Sequence, residues 1–360
     1  GGGPGAIFWM WVSAFFGMST IYAEATLAQQ YKVKKDGEVT GGPVYYIRAA
    51  FKGTFGKALA AIFAILIVLA LGFTGNMVQS NSIGAAFSEV FSARNIEIPS
   101  IVFGLILAAV IGFIFLGGVN RLASVVEKIV PIMAGIYIVG SLVLILMNIT
   151  ALPGAIKMIF VGAFNPEAVV GAGAGIAVRE AIRFGVARGL FSNEAGMGST
   201  PHAHARAKVE NPHKQGLAAM ISVFIDTFII LNLTVFSILT TGVLDSGKEG
   251  TALTQAAFTK GFGNFGDIFV AVCLLFFAFS TILGWHFFGE VNVKYLFGEK
   301  AAKFYSILVI GFVIVGSTLK VQLVWSLSDF FNGLMVIPNA IALWALSGVV
   351  VKICKQYGKK

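Results

Sequence analysis

Charge is what this sequence has least of: only 12% of its 360 residues are Asp, Glu, Lys or Arg, while 57% are hydrophobic and the mean hydropathy is +0.85. An ordinary soluble domain carries about twice that share of charge, so the composition excludes one and places the chain in a bilayer. Cysteine is equally sparse. Cys273 lies inside an apolar run and Cys354 in the basic tail, which leaves no framework for disulfides or a metal cluster. The net charge of +9 is not a nucleic-acid footprint, because the basic residues form short clusters between apolar runs rather than a face interleaved with aromatics. They read as topology signals. The chain also lacks an initiator Met and a signal peptide, and it opens on "GGGPGAIFWMW" with an apolar run already under way, so an N-terminal part is expected to be absent.

What is present is a series of apolar runs. A span needs about 20 residues to cross about 30 Å of hydrocarbon, and runs of that kind start at Pro4, Phe55, Ile98, Ile129, Gly216, Phe265, Lys303 and Leu323. Segment 166–199 is ambiguous, since Gly171, Gly173, Gly175, Arg179, Glu180, Arg183 and Arg188 dilute it. Charge asymmetry decides. If it crosses, 18 Lys and Arg share one side against five opposite, with three arginines inside the span; if it does not, the split becomes 11 against 15. Cytoplasmic loops carry the excess, so the segment is predicted to cross, giving nine spans with the tail "KICKQYGKK" inside. Stretches 152–165 and 245–263 are expected to be external connections, and no part of the chain reads as a separate soluble domain.

A crossing segment this polar cannot face lipid, where unsatisfied backbone and charge cost several kcal/mol each. Within it, "SNEAGMGS" (192–199) sets two glycines among polar side chains. Glycine lets backbone leave a helix, and a break exposes N–H groups on one half-helix and C=O groups on the other. A carboxylate suits the first and a cation or ammonium the second, which together describe an amino-acid zwitterion and the broken helices of secondary transporters. The alternative is a tight glycine packing motif with capping Asn and Glu. Two further irregularities, "GFTGNMVQSNS" (72–82) and "FNGLMVIP" (331–338), interrupt other spans.

Other polar residues carry two readings each. Ser280 and Thr281, with Trp285 one turn later on the same face, offer hard oxygen ligands for Na⁺, or simply bond back to their own helix. Gln79 and Asn81 contact a solute or join helices. Asp226 is a functional carboxylate or the partner of Arg179 or Arg183. Glu194 belongs to the site or is a structural anion held by Arg188 or by the next half-helix. Glu24 is expected to cap or pair locally with the basic loop. His202 and His204, two residues apart, point to different helix faces and are not expected to bind metal.

"GGPGAIFWMWVSAFFG" (2–17), "GLFSNEAGMGSTP" (189–201) and "FNGLMVIPNAIAL" (331–343) together resemble the alanine or glycine:cation symporter family, also called sodium:alanine symporters. The resemblance spans all 360 residues. It implies an all-α multi-pass membrane protein with the 5+5 inverted-repeat fold of the amino acid-polyamine-organocation superfamily. The chain then forms a single transmembrane transporter domain over residues 1–360, made of core helices two to ten, with the first core helix missing. It implies Na⁺-coupled uptake of alanine or glycine, D-forms included, at the cell (inner) membrane, with H⁺ as the alternative coupling ion; a channel or a membrane-embedded enzyme is a more distant alternative. The substrate pocket carried over is Gln79, Asn193, Glu194, Gly196, Gly198, Thr281 and Trp285, and the Na⁺ ligands are Ser280 and Thr281, with Trp285 limiting substrate size. Without the first broken helix, this chain alone is not expected to transport. The partners implied are the amino acid, Na⁺ and the lipid bilayer, with no nucleic acid.

Overall fold

The computed structural model describes residues 2–35, 37–115, 118–165 and 174–358, so Gly171 and Gly173 of the ambiguous segment lie outside the described residues. Apart from a short antiparallel hairpin, Val33–Lys35 against Glu38–Thr40, the ordered elements are helices. Among the described residues six helical runs are long and apolar enough to cross a membrane: Gly5–Gln30, Gly53–Ser92, Glu127–Met147, Pro212–Thr241, Gly250–Phe297 and Val321–Ala345. Each overlaps one of the predicted spans, although Gly250–Phe297 also takes in 250–262, which the sequence reading assigned to an external connection. The run expected from Ile98 is the helix Ser100–Phe115, whose 16 residues rise about 24 Å at 1.5 Å each. The run expected from Lys303 is Glu299–Gly316, whose first turns carry Glu299, Lys300 and Lys303 and so shorten its apolar part. The connections 152–165 and 245–263 contain the helices Leu152–Phe164 and Gly250–Phe262. Large side chains stand bare on the surface, Phe15, Phe16, Phe113 and Trp344 being 64%, 67%, 68% and 86% exposed. A protein dissolved in water does not leave such area uncovered.

The chain divides into two compact units, each built from separated stretches. The first holds residues 1–67, 156–231 and 331–360; the second holds 68–155 and 232–330. In the first unit, small residues let helices approach closely: Ala14, Ile21 and Ala25 of Gly5–Gln30 pack on Ala195 and on Ala219 and Val223 of Pro212–Phe224. The aromatic signature near the start has a packing role there. Phe8, Trp9 and Trp11 stack edge-on or tilted against Phe160 and Phe164, and Trp9 Nε1 donates to the Ala163 carbonyl at 3.3 Å.

In the second unit Ala86 and Val90 of Asn76–Ser92 meet Ala271 of the long helix Gly266–Phe297. Arg94 grips Asp267 with both guanidinium nitrogens, at 2.7 and 3.2 Å. Asn81 Nδ2 donates to the carbonyls of Gly316 and Leu319 at 2.9 and 2.7 Å, so Asn81 takes its helix-joining reading. Two runs wind wider than an α-helix, Val68–Gly75 and Ile225–Leu231, and each lies beside a junction between the units along the chain. Such π segments are commonly retained at functional positions.

Candidate functional site

The first unit contains the break that the sequence predicted. The helix Ala174–Asn193 stops, residues 194–200 are non-helical, and a short helix Pro201–Arg206 follows. Left-handed backbone alternates through the gap, with φ of +56° at Glu194, +92° at Gly196 and +78° at Gly198. Gly198 has a second constraint, since a Cβ there would stand 2.8 Å from the Phe63 ring and 2.9 Å from Pro43. The glycines are therefore backbone requirements as well as packing devices. Asn193 closes the end of the first half-helix: its Oδ1 accepts from Ala195 N at 3.1 Å. Glu194 turns back on the loop and accepts the Ser199 hydroxyl.

The donors of the break are already engaged. Gly196 N donates to Glu24 Oε2 at 3.0 Å and Gly198 N to Glu24 Oε1 at 2.8 Å. Asn339 Nδ2 reaches the same Oε1 at 2.6 Å and the Gly196 carbonyl at 2.9 Å, and the Tyr46 hydroxyl donates to Asn339 Oδ1 at 2.5 Å. Glu24, Tyr46 and Asn339 are completely buried. Burial, with Glu24 close by, pushes the Tyr46 phenol well above its usual pKa and keeps it a proton donor. Glu24 thus neither caps its helix nor pairs with the basic loop. Sequence reasoning passed over this cluster, although a carboxylate within an apolar span was a signal for Glu24 and the third family stretch for Asn339.

Beyond the break, the half-helix is tied down by Gln29, whose Nε2 donates to the carbonyls of His204 at 2.5 Å and Ala207 at 2.9 Å. Gln215 Nε2 meets His204 Nδ1 at 2.7 Å, and burial lowers the His204 pKa to about 4. His202 Nδ1 lies 2.6 Å from the Ser199 carbonyl, and its ring stacks on Phe63. Asp226 accepts from Ser192 Oγ at 2.8 Å and Thr227 Oγ1 at 3.2 Å, while Arg183 pairs with Glu180 on its own helix.

The second unit holds the other predicted residues. Ser280 and Thr281 both donate their hydroxyl protons to the Phe277 carbonyl at 2.9 Å. Each oxygen keeps its lone pairs, so this back-bonding and ion ligation are compatible. Trp285 is buried, and its ring lies where a Cβ on Gly75 would stand, 2.7 Å away, so the indole sits directly on the π segment. Gln79, one turn beyond Gly75, is half-buried, and its side chain hydrogen-bonds to no described residue. Among the described residues no group of three or more His, Cys, Asp or Glu is placed to hold a metal.

A family model described as the sodium:alanine symporter family matches residues 1–360. The chain belongs to that family. It is 43% identical to the amino-acid carrier protein AlsT of Bacillus subtilis, over 100% of this chain and 75% of that protein. It is 42% identical to the probable sodium/glutamine symporter GlnT of the same organism, over 100% of the chain and 73% of the relative. Against the sodium/alanine symporter AgcS of Methanococcus maripaludis the identity is 40%, over 99% and 78%. These relatives are named as carriers and symporters rather than enzymes. The break, with its family stretch 189–201, is therefore a feature of a transporter family member.

Proposed function

We propose that this protein is a Na⁺-coupled symporter of small neutral amino acids, alanine or glycine in L- or D-form, working by alternating access in the cell membrane with its C-terminus cytoplasmic. The observation that carries the reading is the interrupted helix: a segment too polar for lipid stops at Asn193 and resumes at Pro201. The carbonyl end that this leaves suits the positive group of a small guest. The alternation of the chain between its two units, each passage from first to second lying beside a π segment, supports the inverted-repeat architecture. Na⁺ is cargo here. Ser280 and Thr281 supply hydroxyl oxygens to it, and the residues assigned to substrate binding are Gln79, Asn193, Glu194, Gly196, Gly198, Thr281 and Trp285.

The geometry refines the part played by the break. Because Gly196 N and Met197 N turn to Glu24 and to the Glu194 carbonyl, the carbonyls of Ser192 and Asn193 lose their usual helical donors. That end of the break fits the substrate's ammonium. Binding drives transport only as far as ligand and ion prefer one conformation over the other. Full-length protein in liposomes is expected to accumulate labelled alanine only under an inward Na⁺ gradient, and Thr281→Ala is expected to abolish accumulation. Uptake following a pH gradient in Na⁺-free buffer identifies H⁺ as the coupling ion, and flux independent of any cation gradient identifies a channel. Competition by a panel of L- and D-amino acids fixes the substrate.

A further inference from the structure

Left-handed residues at 194, 196 and 198 bring the N–H groups of Gly196 and Gly198 to one side, while Met197 N turns back to the Glu194 carbonyl, forming a concavity of the kind that binds anions. In this protein the anion is part of the chain. Both oxygens of Glu24 are used, three donors converge on them at 2.6–3.0 Å, and among the described residues no lysine or arginine pairs with it. A buried carboxylate survives without a cation only when hydrogen bonds of this charge-assisted kind replace water. The cluster is also oriented. The Tyr46 hydroxyl fixes Asn339 Oδ1, which forces Asn339 Nδ2 toward Glu24 and the Gly196 carbonyl, so each polar atom has one role.

We propose that Glu24 is a positioning residue, the resident anion of the break: it occupies the Gly196 and Gly198 amides, keeps a substrate carboxylate off them, and holds the carbonyl end of the preceding half-helix open for a positive group. This rests on the symport reading for its consequence, though not for its geometry. The test is Glu24→Gln in the full-length protein, followed by amide hydrogen exchange and by uptake kinetics per folded transporter. A glutamine keeps one acceptor and turns an N–H against the convergent donors. The segment 194–200 is expected to exchange about tenfold faster, and the KM for alanine to rise about tenfold in the protein that remains folded.

A carboxylate that merely stabilises the fold would lower the folded fraction while leaving the KM of the survivors and the local exchange unchanged, and that result overturns the proposal. If Glu24→Gln does not fold, Tyr46→Phe decides. It removes only the hydroxyl that orients Asn339, and exchange and KM are expected to move in the same direction by about threefold; unchanged values again overturn the proposal. Should the wild-type protein take up no alanine, the symport reading fails while the exchange measurement still judges Glu24.

Discussion

Two stretches of this chain look alike on paper and fold differently. "SNEAGMGS" (192–199) and "GFTGNMVQSNS" (72–82) each set two glycines among Ser and Asn in a chain that is otherwise apolar, yet the first breaks the helix and the second only widens it. The difference lies in where the displaced backbone groups find partners. At the π segment the repair is local: Thr74 Oγ1 donates to the carbonyls of Leu69 and Ala70 at 3.0 and 2.9 Å, and Asn76 Nδ2 to that of Gly72 at 3.0 Å. At the break it comes from afar, as Glu24 on another helix accepts the orphaned amides. A helix patched by its own side chains stays continuous, while one whose donors are taken from outside opens.

The sharpest way to break this comparison is Glu24→Ala. It strands two backbone donors and Asn339 at about 1–3 kcal/mol each, so the purified protein is expected to lose about 3 kcal/mol or more, read as a lower midpoint in denaturant or thermal unfolding. Next comes Gly198→Ala, which forces an L-residue into left-handed backbone at about 1–2 kcal/mol and drives its methyl toward Phe63. A loss of about 2 kcal/mol or more is expected in the same assay. Thr74→Val removes only a local patch while the helix persists, and about 1 kcal/mol is expected. Equal losses from Glu24→Ala and Thr74→Val would show that the two interruptions are stabilised alike.

The smallest effect separates the stretches by pH. Burial holds His204 neutral in the folded protein, with its pKa lowered from 6.5 to about 4. A depressed folded value means that the stabilisation is complete above pH 6.5 and is lost as pH falls toward 4. Hydrogen exchange in 201–206 is expected to quicken across that window, by less than about 1 kcal/mol at pH 6. The π segment has no titratable side chain and is expected to stay unchanged. Exchange that quickens equally in both segments would assign the pH effect to something other than His204, and His204→Gln should flatten the response.

Much of the architecture was legible because membrane spans are written in runs. Composition alone located six long apolar helices. The glycine spacing located the break to within a residue or two, since left-handed backbone is a local demand. Ser280 and Thr281 were legible as a hydroxyl pair but not as a pair sharing one carbonyl, because back-bonding depends on rotamers that spacing does not set. Asp226 was read as a functional carboxylate or as the partner of Arg179 or Arg183, and its bonds are to the hydroxyls of Ser192 and Thr227.

By itself the sequence determined that this chain belongs in a bilayer, where its helices run, and at which residues one of them must let go. Hydropathy, glycine and charge act through immediate neighbours and through the solvent, so they need no knowledge of the fold. Only the tertiary structure decided what meets the break. Glu24 and Asn339 stand 315 positions apart and meet at the break, Glu24 accepting the Gly196 and Gly198 amides while Asn339 donates to Glu24 and to the Gly196 carbonyl. No periodicity encodes that meeting, because which side chain satisfies a loosened peptide group depends on how distant helices pack.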